Sequence, residues 1–123
     1  MHAKDPVSGP LAGIKVVDLT RGMPGAIATM LLADYGADVL KLQNPSGNLL
    51  ESSAAFRVWN RSKKSVALDL SQPEDLRASL ELARDADVFL EFFRPGVAER
   101  LGVGYSAIKD ANPGIIYCAI SAF

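Results

Sequence analysis

Five short apolar runs recur along the 123 residues, each separated from the next by a helical or loop segment. They are IKVVDL (Ile14–Leu19), DVLKL (Asp38–Leu42), VALDL (Val66–Leu70), DVFL (Asp87–Leu90) and IIYCAI (Ile115–Ile120). Strands that alternate with helical connections pair in parallel, because the chain must cross over one face to return to the same edge. The sequence therefore predicts an α/β fold with a doubly wound parallel sheet.

Local signals place the helices between these strands. Pro24 favours the first turn of a helix that ends at Gly36, and its sequence is apolar on almost every face. We therefore expect this helix to be buried on more than one side. Ser71 followed by Glu74 resembles a capping box at the start of a second helix. The stretch Gln43–Ser65, rich in Ser and Asn, is predicted to be a long connection.

Composition excludes several classes of protein. A net charge of -1 disfavours a nucleic-acid binder. No apolar stretch approaches the ~20 residues of a membrane helix, and the N-terminus lacks a signal peptide, so a cytoplasmic location is expected. The only cysteine, Cys118, is predicted to be buried and inert, and a single histidine excludes a zinc cluster or a Ser-His-Asp triad within the chain. The basic residues that would attract an anion are Arg57, Arg61, Lys63 and Lys64.

Two common ligand chemistries of such folds lack their signatures. The segment TRGMPGA after the first strand has no G-x-G-x-x-G, and the second strand ends in Gln43 and Asn44 where a dinucleotide site needs an acid. A phosphoacceptor pocket needs an acidic cluster, whereas Asp18 stands alone and no lysine follows Ile120. Asp18 and Asp69 are predicted to cap nearby backbone groups.

Aromatic and basic residues directly follow the fourth predicted strand. In an open α/β sheet the ligand crevice lies at the carboxyl ends of the strands. Arg94 and Arg100 suit phosphate, and Phe92 and Phe93 offer faces on which a base could stack. The alternative is that Pro95 and Gly96 merely begin a helix and Phe93 belongs to the core. The residue types alone leave both interpretations open.

Five segments in order resemble the N-terminal part of the family III coenzyme A transferases, a family that includes α-methylacyl-CoA racemase. They are GPLAGIKVVDLTR, MLLADYGADVLKLQ, NRSKKSVALDL, ADVFLEFFRPGVAERLGVGY and NPGIIYCAIS. The resemblance implies a Rossmann-like open, mostly parallel sheet with helices on both faces. Residues 10–123 would form an incomplete N-terminal piece of the family's large domain, and residues 1–9 a disordered tail.

The resemblance also implies ligand contacts. Coenzyme A (CoA) and acyl-CoA would be substrates, with no prosthetic group, and the full-length protein would form an interlocked homodimer. By position, the residues near CoA are Gly22 and Met23 at the thiol arm, Leu68 to Ser71 at the adenosine end, and Phe92, Phe93, Arg94 and Arg100 after the fourth strand. This chain has Phe92 where the family often has Asn or Gly. It has Gln43 and Asn44 where several branches have Glu followed by a CoA-contacting arginine.

The implied function is transfer of CoA from an acyl-CoA donor to a carboxylate acceptor. The alternatives are an α-methylacyl-CoA racemase or epimerase of the same family, and a non-catalytic CoA-binding remnant or partner subunit. The resemblance places the catalytic aspartate outside these 123 residues, so no catalytic residue is assigned and the chain alone is expected to be inactive. No covering helix follows the fifth strand, which predicts the front part of a larger unit and an uncovered, association-prone face around Ile115–Phe123.

Overall fold

A computed structural model of the protein describes residues 9–47 and 53–121. Five strands and five helices alternate along these residues. The strands are β1 (Lys15–Asp18), β2 (Asp38–Gln43), β3 (Lys64–Ala67), β4 (Val88–Glu91) and β5 (Ile116–Ala119). The helices are α1 (Met23–Asp34), α2 (Ala54–Trp59), α3 (Pro73–Arg84), α4 (Val97–Leu101) and α5 (Tyr105–Ala111).

The five strands form one parallel sheet in the order β3-β2-β1-β4-β5. Strand β1 lies at the centre, where Val17 is opposite Leu40 on β2 and Phe89 on β4. The chain first builds outward from β1 to β3 and then returns past β1 to form β4 and β5. This reversal separates the loops that follow β1 and β4, which creates a crevice at their carboxyl ends. The α/β, Rossmann-like, parallel fold is confirmed.

Alternate residues along the strands belong to two hydrophobic cores, one on each face, because successive side chains point to opposite faces of a sheet. On one face Val16, Val39 and Leu90 pack with Ala33 of α1. On the other, Val17 and Phe89 pack with residues of α3, α4 and α5, namely Ala83, Ala98 and Ile108. The sheet is therefore covered by helices on both faces.

The connection Gln43–Ser65 contains a helix that the sequence analysis did not predict. Helix α2 begins after Ser53, whose hydroxyl oxygen accepts a hydrogen bond from the backbone N–H of Phe56 at 3.0 Å. Such a bond satisfies one of the orphan amides of a first turn. With six residues and none of them buried, α2 carries too short a pattern to show helical periodicity in the sequence.

Strand β3 lies two to three residues earlier than predicted, at Lys64–Ala67 instead of Val66–Leu70. Its ladder with β2 sets this limit. Strand β2 ends at Gln43, whose carbonyl accepts the last ladder hydrogen bond from the N–H of Leu68 at 2.8 Å. Since β2 offers no partner beyond that point, Leu68 and Leu70 leave the strand and pack against the core from the loop.

The predicted capping box at Ser71 is wrong. Gln72 is the N-cap of α3, and no side chain caps that end. The N–H and hydroxyl of Ser71 donate instead to the Asp69 carboxylate, at 3.0 and 2.7 Å. Because the Ser71 hydroxyl takes part in this local turn, it does not cap the amides of the helix. The capping role predicted for Asp69 is confirmed.

Helix α1 is less buried than its apolar sequence predicted. Gly25, Ala26, Thr29 and Ala33 face the protein, whereas the side chain of Leu31 is 48% exposed. The reason is that α1 lies on one face of the sheet, and the helix that it mainly contacts is the short α2. The helix ends before Gly36, which has a φ of 107° and so adopts a left-handed conformation that favours glycine.

The edge strand β5 is poorly covered. Ile116 is 63% exposed, and Cys118 is half-buried rather than fully buried as predicted. The expectation of an uncovered apolar face is thus confirmed for the part of β5 that the structure describes. In the described part of the chain, no helix has the length and apolar character needed to cross a bilayer.

We predict that Ile116→Lys weakens self-association of the chain. Removing one exposed isoleucine from a contact costs about 1.5–3 kcal/mol, which corresponds to roughly a 10- to 150-fold higher concentration for association. Sedimentation velocity over a concentration series measures the effect. Val58→Lys on α2 removes a similarly exposed apolar side chain (53%) and serves as the control. Equal effects of the two substitutions would contradict a role for β5.

Candidate functional site

The loops that follow β1 and β4 meet at the crevice between these strands. Gly22 follows β1, and a Cβ built on it would lie 3.1 Å from Cε1 of the Phe92 ring. A side chain at position 22 would therefore push the ring aside. The structure thus brings together two of the residues that the resemblance placed near CoA, from opposite sides of the crevice.

A cavity of about 390 Å³ opens beside this contact. It is lined by Phe92, Phe93, Arg94, Pro95, Ile120 and Ser121. Its volume is at the lower end of the ~300–1,000 Å³ that small-molecule pockets occupy. Across residues 9–47 and 53–121, no carboxylate forms an ion pair with Arg94. The exposed guanidinium is therefore available to an anionic ligand.

Arg21 is a further residue at this site that the sequence analysis did not single out. Its guanidinium carbon lies 5.8 Å from the centre of the Phe93 ring, within range of a cation–π contact. The available signal was its position, since Arg21 comes directly after the central strand at the ligand-binding end of the sheet. Arg21 thus brings a second positive charge to this site, from the β1 side of the crevice.

The other predicted contacts lie outside the lining of this cavity. Leu68 and Ser71 follow β3, which is three strands away from β4, or roughly 14 Å at about 4.8 Å per strand. Met23 begins α1 and is 50% exposed. Arg100 lies on α4, also exposed. Only an extended ligand could contact these residues and the cavity together.

Two spaces of very different size border the end of β2. On the side of β1, Gln43 and Asn44, together with Thr20, Arg21 and Lys41, border a depression of about 10 Å³. That volume holds no more than one water molecule. On the side of α2, Gln43 and Lys41 also line a cavity of about 320 Å³.

A buried cluster of charges lies below the turn after β1. Asp18 is fully buried and accepts hydrogen bonds from the N–H and hydroxyl of Thr20 and, at 2.6 Å, from the hydroxyl of Thr29. The ammonium nitrogens of Lys63 and Lys41 lie 3.6 and 3.9 Å from the same carboxylate. Asp18 does cap Thr20, but the prediction of a purely local role is wrong, because it is also the counter-charge of two lysines.

The basic residues predicted to attract an anion are mostly paired within the protein. Arg61 contacts Asp34 at 2.7 Å, Lys64 contacts Asp38 at 3.6 Å, and Lys63 belongs to the buried cluster. Within the described ranges, Arg57 is the member of this group without an ion pair. It lines a cavity of about 320 Å³ next to α2.

Glu91 ends β4 below the cavity and is buried. Burial raises the pKa of its carboxyl, and the charge of Glu99 adds to this increase. Hydrogen bonds from the Tyr117 hydroxyl and the Phe93 backbone oppose the increase. Burial and the nearby Glu91 raise the pKa of the Tyr117 hydroxyl as well. The site therefore disfavours the ionised form of Glu91, and a carboxylate must be ionised to act as a nucleophile.

Comparison with known proteins shows that this chain is similar to the CoA-transferases. The family model described as CoA-transferase family III matches residues 11–123. A succinyl-CoA:mesaconate CoA-transferase of Haloarcula hispanica is 39% identical over 94% of this chain. The succinyl-CoA:glutarate CoA-transferase of Homo sapiens is 37% identical over 93% of it. A crystal structure of a CAIB/BAIF family protein from Brucella suis covers 94% of the chain with a TM-score of 0.89 and 34% identity. The chain spans about a third of the length of these relatives, 28–34%.

We predict that Glu91→Gln changes how stability depends on pH. Because folding raises the pKa of Glu91, its contribution is present below the unfolded pKa of about 4.3 and is lost as the pH rises through the folded value. The free energy of unfolding of the wild type should therefore fall relative to that of the variant between about pH 4 and pH 7. Urea denaturation across this range measures the difference, with the exposed Glu81→Gln as control. A parallel pH dependence for wild type and Glu91→Gln would contradict the assignment.

Proposed function

Because the chain belongs to CoA-transferase family III, we propose that it forms the CoA-binding portion of an enzyme that moves CoA from an acyl-CoA donor to a carboxylate acceptor. The observation that carries this proposal is the crevice between β1 and β4. There Gly22 meets Phe92. Beside this contact, between the segments that follow β4 and β5, Arg94 lines a cavity of about 390 Å³ and has no acidic partner among the described residues. The cavity combines an apolar lining with a cation, as a ligand with phosphate groups and an apolar arm requires.

The parts of CoA match different parts of this edge of the sheet. A phosphate group suits Arg94, since a guanidinium donates parallel hydrogen bonds to one anion. The turn at Gly22 borders the path of the thiol arm, and the absence of a side chain there lets the Phe92 ring lie against the turn. Leu68 and Ser71 receive the adenosine end, roughly 14 Å from β4 along the sheet. An extended ligand such as CoA accounts for predicted contacts that no single cavity contains.

Phe92 and Gln43 make this site differ from the family pattern. Phe92 stands where the family often has Asn or Gly; it is bulkier, its side chain cannot form hydrogen bonds, and its ring covers Gly22. Gln43 and the following residue remove a charged phosphate contact at the end of β2. We propose that Arg21, held over Phe93 at 5.8 Å, supplies part of the missing positive charge.

The transferase branch is favoured over the racemase branch because the relatives reported above are named as CoA-transferases. Two of them act on succinyl-CoA according to their names, so succinyl-CoA is the first donor to test here. A homodimer of the full-length protein and a cytoplasmic location remain part of the proposal.

We propose that the 123 residues bind CoA without transferring it. Covalent transfer needs an ionised carboxylate at the thioester. Both oxygens of Asp18 are engaged in the buried cluster, one oxygen of Asp69 holds Ser71, and Glu91 is buried with a raised pKa. Binding alone does not speed the chemical step, because that requires stabilisation of the transition state.

We predict that Arg94→Ala weakens the binding of CoA. Removing a charge-assisted hydrogen bond to phosphate costs about 1.5–3 kcal/mol, so the Kd for CoA should rise roughly 10- to 150-fold. Isothermal titration of the 123-residue chain with CoA measures the change. Arg84→Ala removes an exposed arginine at the opposite end of the sheet and should leave the Kd unchanged. An unchanged Kd in folded Arg94→Ala would remove Arg94 from the site.

We also predict that the 123-residue chain does not turn over acyl-CoA. The purified chain, incubated with succinyl-CoA and a series of carboxylate acceptors, should produce no exchanged thioester and no covalent CoA or acyl adduct by mass spectrometry. The same purified chain should bind CoA under these conditions, which shows that it is folded and competent to bind. Turnover that is abolished by Glu91→Gln would overturn this prediction and identify Glu91 as the nucleophile.

A further inference from the structure

Two lysines from different elements reach back to the backbone of one turn. The ammonium of Lys41, on β2, donates a hydrogen bond to the carbonyl of Thr20 at 2.7 Å. The ammonium of Lys63, just before β3, donates to the carbonyl of Ala26 at 3.0 Å. Residues 21–25, which we call the β1 turn, lie between these two carbonyls. Its two ends are therefore held by side chains that are distant in the sequence.

One carboxylate links both lysines to the turn. Asp18 receives hydrogen bonds from Thr20, at the start of the turn, and from Thr29, on α1. It also lies within 4 Å of both ammonium groups, and the exposed fractions of the three side chains are 0%, 5% and 1% for Asp18, Lys41 and Lys63. The groups form a single, largely buried network that joins β1, α1, β2 and the segment before β3.

The β1 turn is tightly packed between the two carbonyls, of Thr20 and Ala26, that anchor its ends. A Cβ built on Gly25 would lie only 2.2 Å from Cβ of Thr20, so the first turn of α1 packs directly against the end of β1. A shift at either anchor must consequently be taken up by the residues between them. Gly22, the residue that meets Phe92 at the crevice, is one of these.

We propose that Asp18, Lys41 and Lys63 are positioning residues that hold the β1 turn in the shape needed to bind CoA. The link to CoA rests on the proposed function given above. The claim that these side chains hold the turn rests on the contacts alone.

Stability does not account for the network. Buried charges lose hydration, and a buried ion pair is often no more stabilising than an apolar replacement. Burial, aided by the charge of Lys41, lowers the pKa of Lys63 to about 8 despite the opposing effect of Asp18. Between that value and the unfolded pKa of about 10.4 the unfolded chain binds the extra proton, so stability rises with pH there. Burial therefore costs the charged form free energy although Lys63 stays mostly protonated at neutral pH, and a positional role explains why a charged group lies there.

The protonation state of Lys63 affects the turn through its donors. The ammonium has three N–H groups, and three acceptors surround it: Asp18 from β1, the carbonyl of Ala26 on α1, and the side-chain oxygen of Asn60 after α2 at 2.8 Å. The neutral amine has only two donors, so one contact is lost when the proton leaves. The other charged groups that face Lys63 are Lys41 from β2 and, across the cavity beside α2, Arg57 and Lys64.

Amide hydrogen exchange at pH 7 and pH 9 tests this inference on the 123-residue chain without ligand. The reporter is the N–H of Ala26, which donates to the carbonyl of Gly22 at 3.1 Å across the turn. Its protection factor, corrected for the intrinsic rate, should fall at pH 9 in the wild type and at both pH values in Lys63→Met. The N–H of Asn112, which donates to the carbonyl of Ile108, should be unaffected. The control Lys15→Met replaces an exposed lysine at the opposite end of β1 and should behave as wild type.

CoA titration at the same two pH values provides the second measurement. We expect the Kd of the wild type to rise at pH 9, and that of Lys63→Met to be raised about tenfold at pH 7 with little further change at pH 9. Equal protection of Ala26 in wild type and Lys63→Met, with no pH effect in the wild type, would overturn the inference. So would a loss of protection that is equal at Ala26 and Asn112, because it would indicate general destabilisation. Absence of CoA binding by the wild type would instead overturn the proposed function, and the exchange result would still decide whether Lys63 holds the turn.

Discussion

A buried carboxylate at the end of the central strand governs much of this structure. Asp18 and Lys41 are register partners on β1 and β2, and the same carboxylate also binds Thr29 of α1. Apolar contacts tolerate small shifts, but a shift of one residue here would leave a charge buried without a partner. Such a group costs several kcal/mol (about 3–5 when one member of a buried pair is removed). The network therefore selects one alignment of β1, β2 and α1, in a sheet whose other contacts are mostly apolar.

The position of the crevice follows from topology, and its chemistry follows from a few residues. The order β3-β2-β1-β4-β5 places the reversal between β1 and β4, so any sequence with this topology opens there. What distinguishes this chain is the contact of Phe92 with Gly22 and the position of Arg21 over Phe93. These contacts narrow the crevice and bring the positive charge of Arg21 to it, at a place where the acid Glu91 is buried beneath the surface.

Much of the fold was predictable because the apolar runs are local, whereas the site was only partly predictable because its contacts are not. The five strands and helix α3 follow from patterns within a few residues. Helix α2 was missed because six residues with no buried member carry no periodic signal. The end of β3 depends on where its partner β2 stops, and the role of Lys41 depends on Thr20, 21 positions away. The available signal was that Lys41 lies on the same face of β2 as the buried Val39, because a lysine on a buried face needs a buried partner.

The pairing of β1 with β4 also determines the order in which the chain can fold during synthesis. The two strands are joined by contacts between residues 72 positions apart, such as Lys15 with Asp87. At roughly 5–20 residues per second, a ribosome needs about 4–14 s to add that length. Until β4 emerges, one edge of β1 carries unpaired backbone groups and the apolar side chains of β1 and β2 lack half of their cover. The nascent chain therefore passes through an interval in which its central strand is an open edge, when protection by a chaperone would be most valuable.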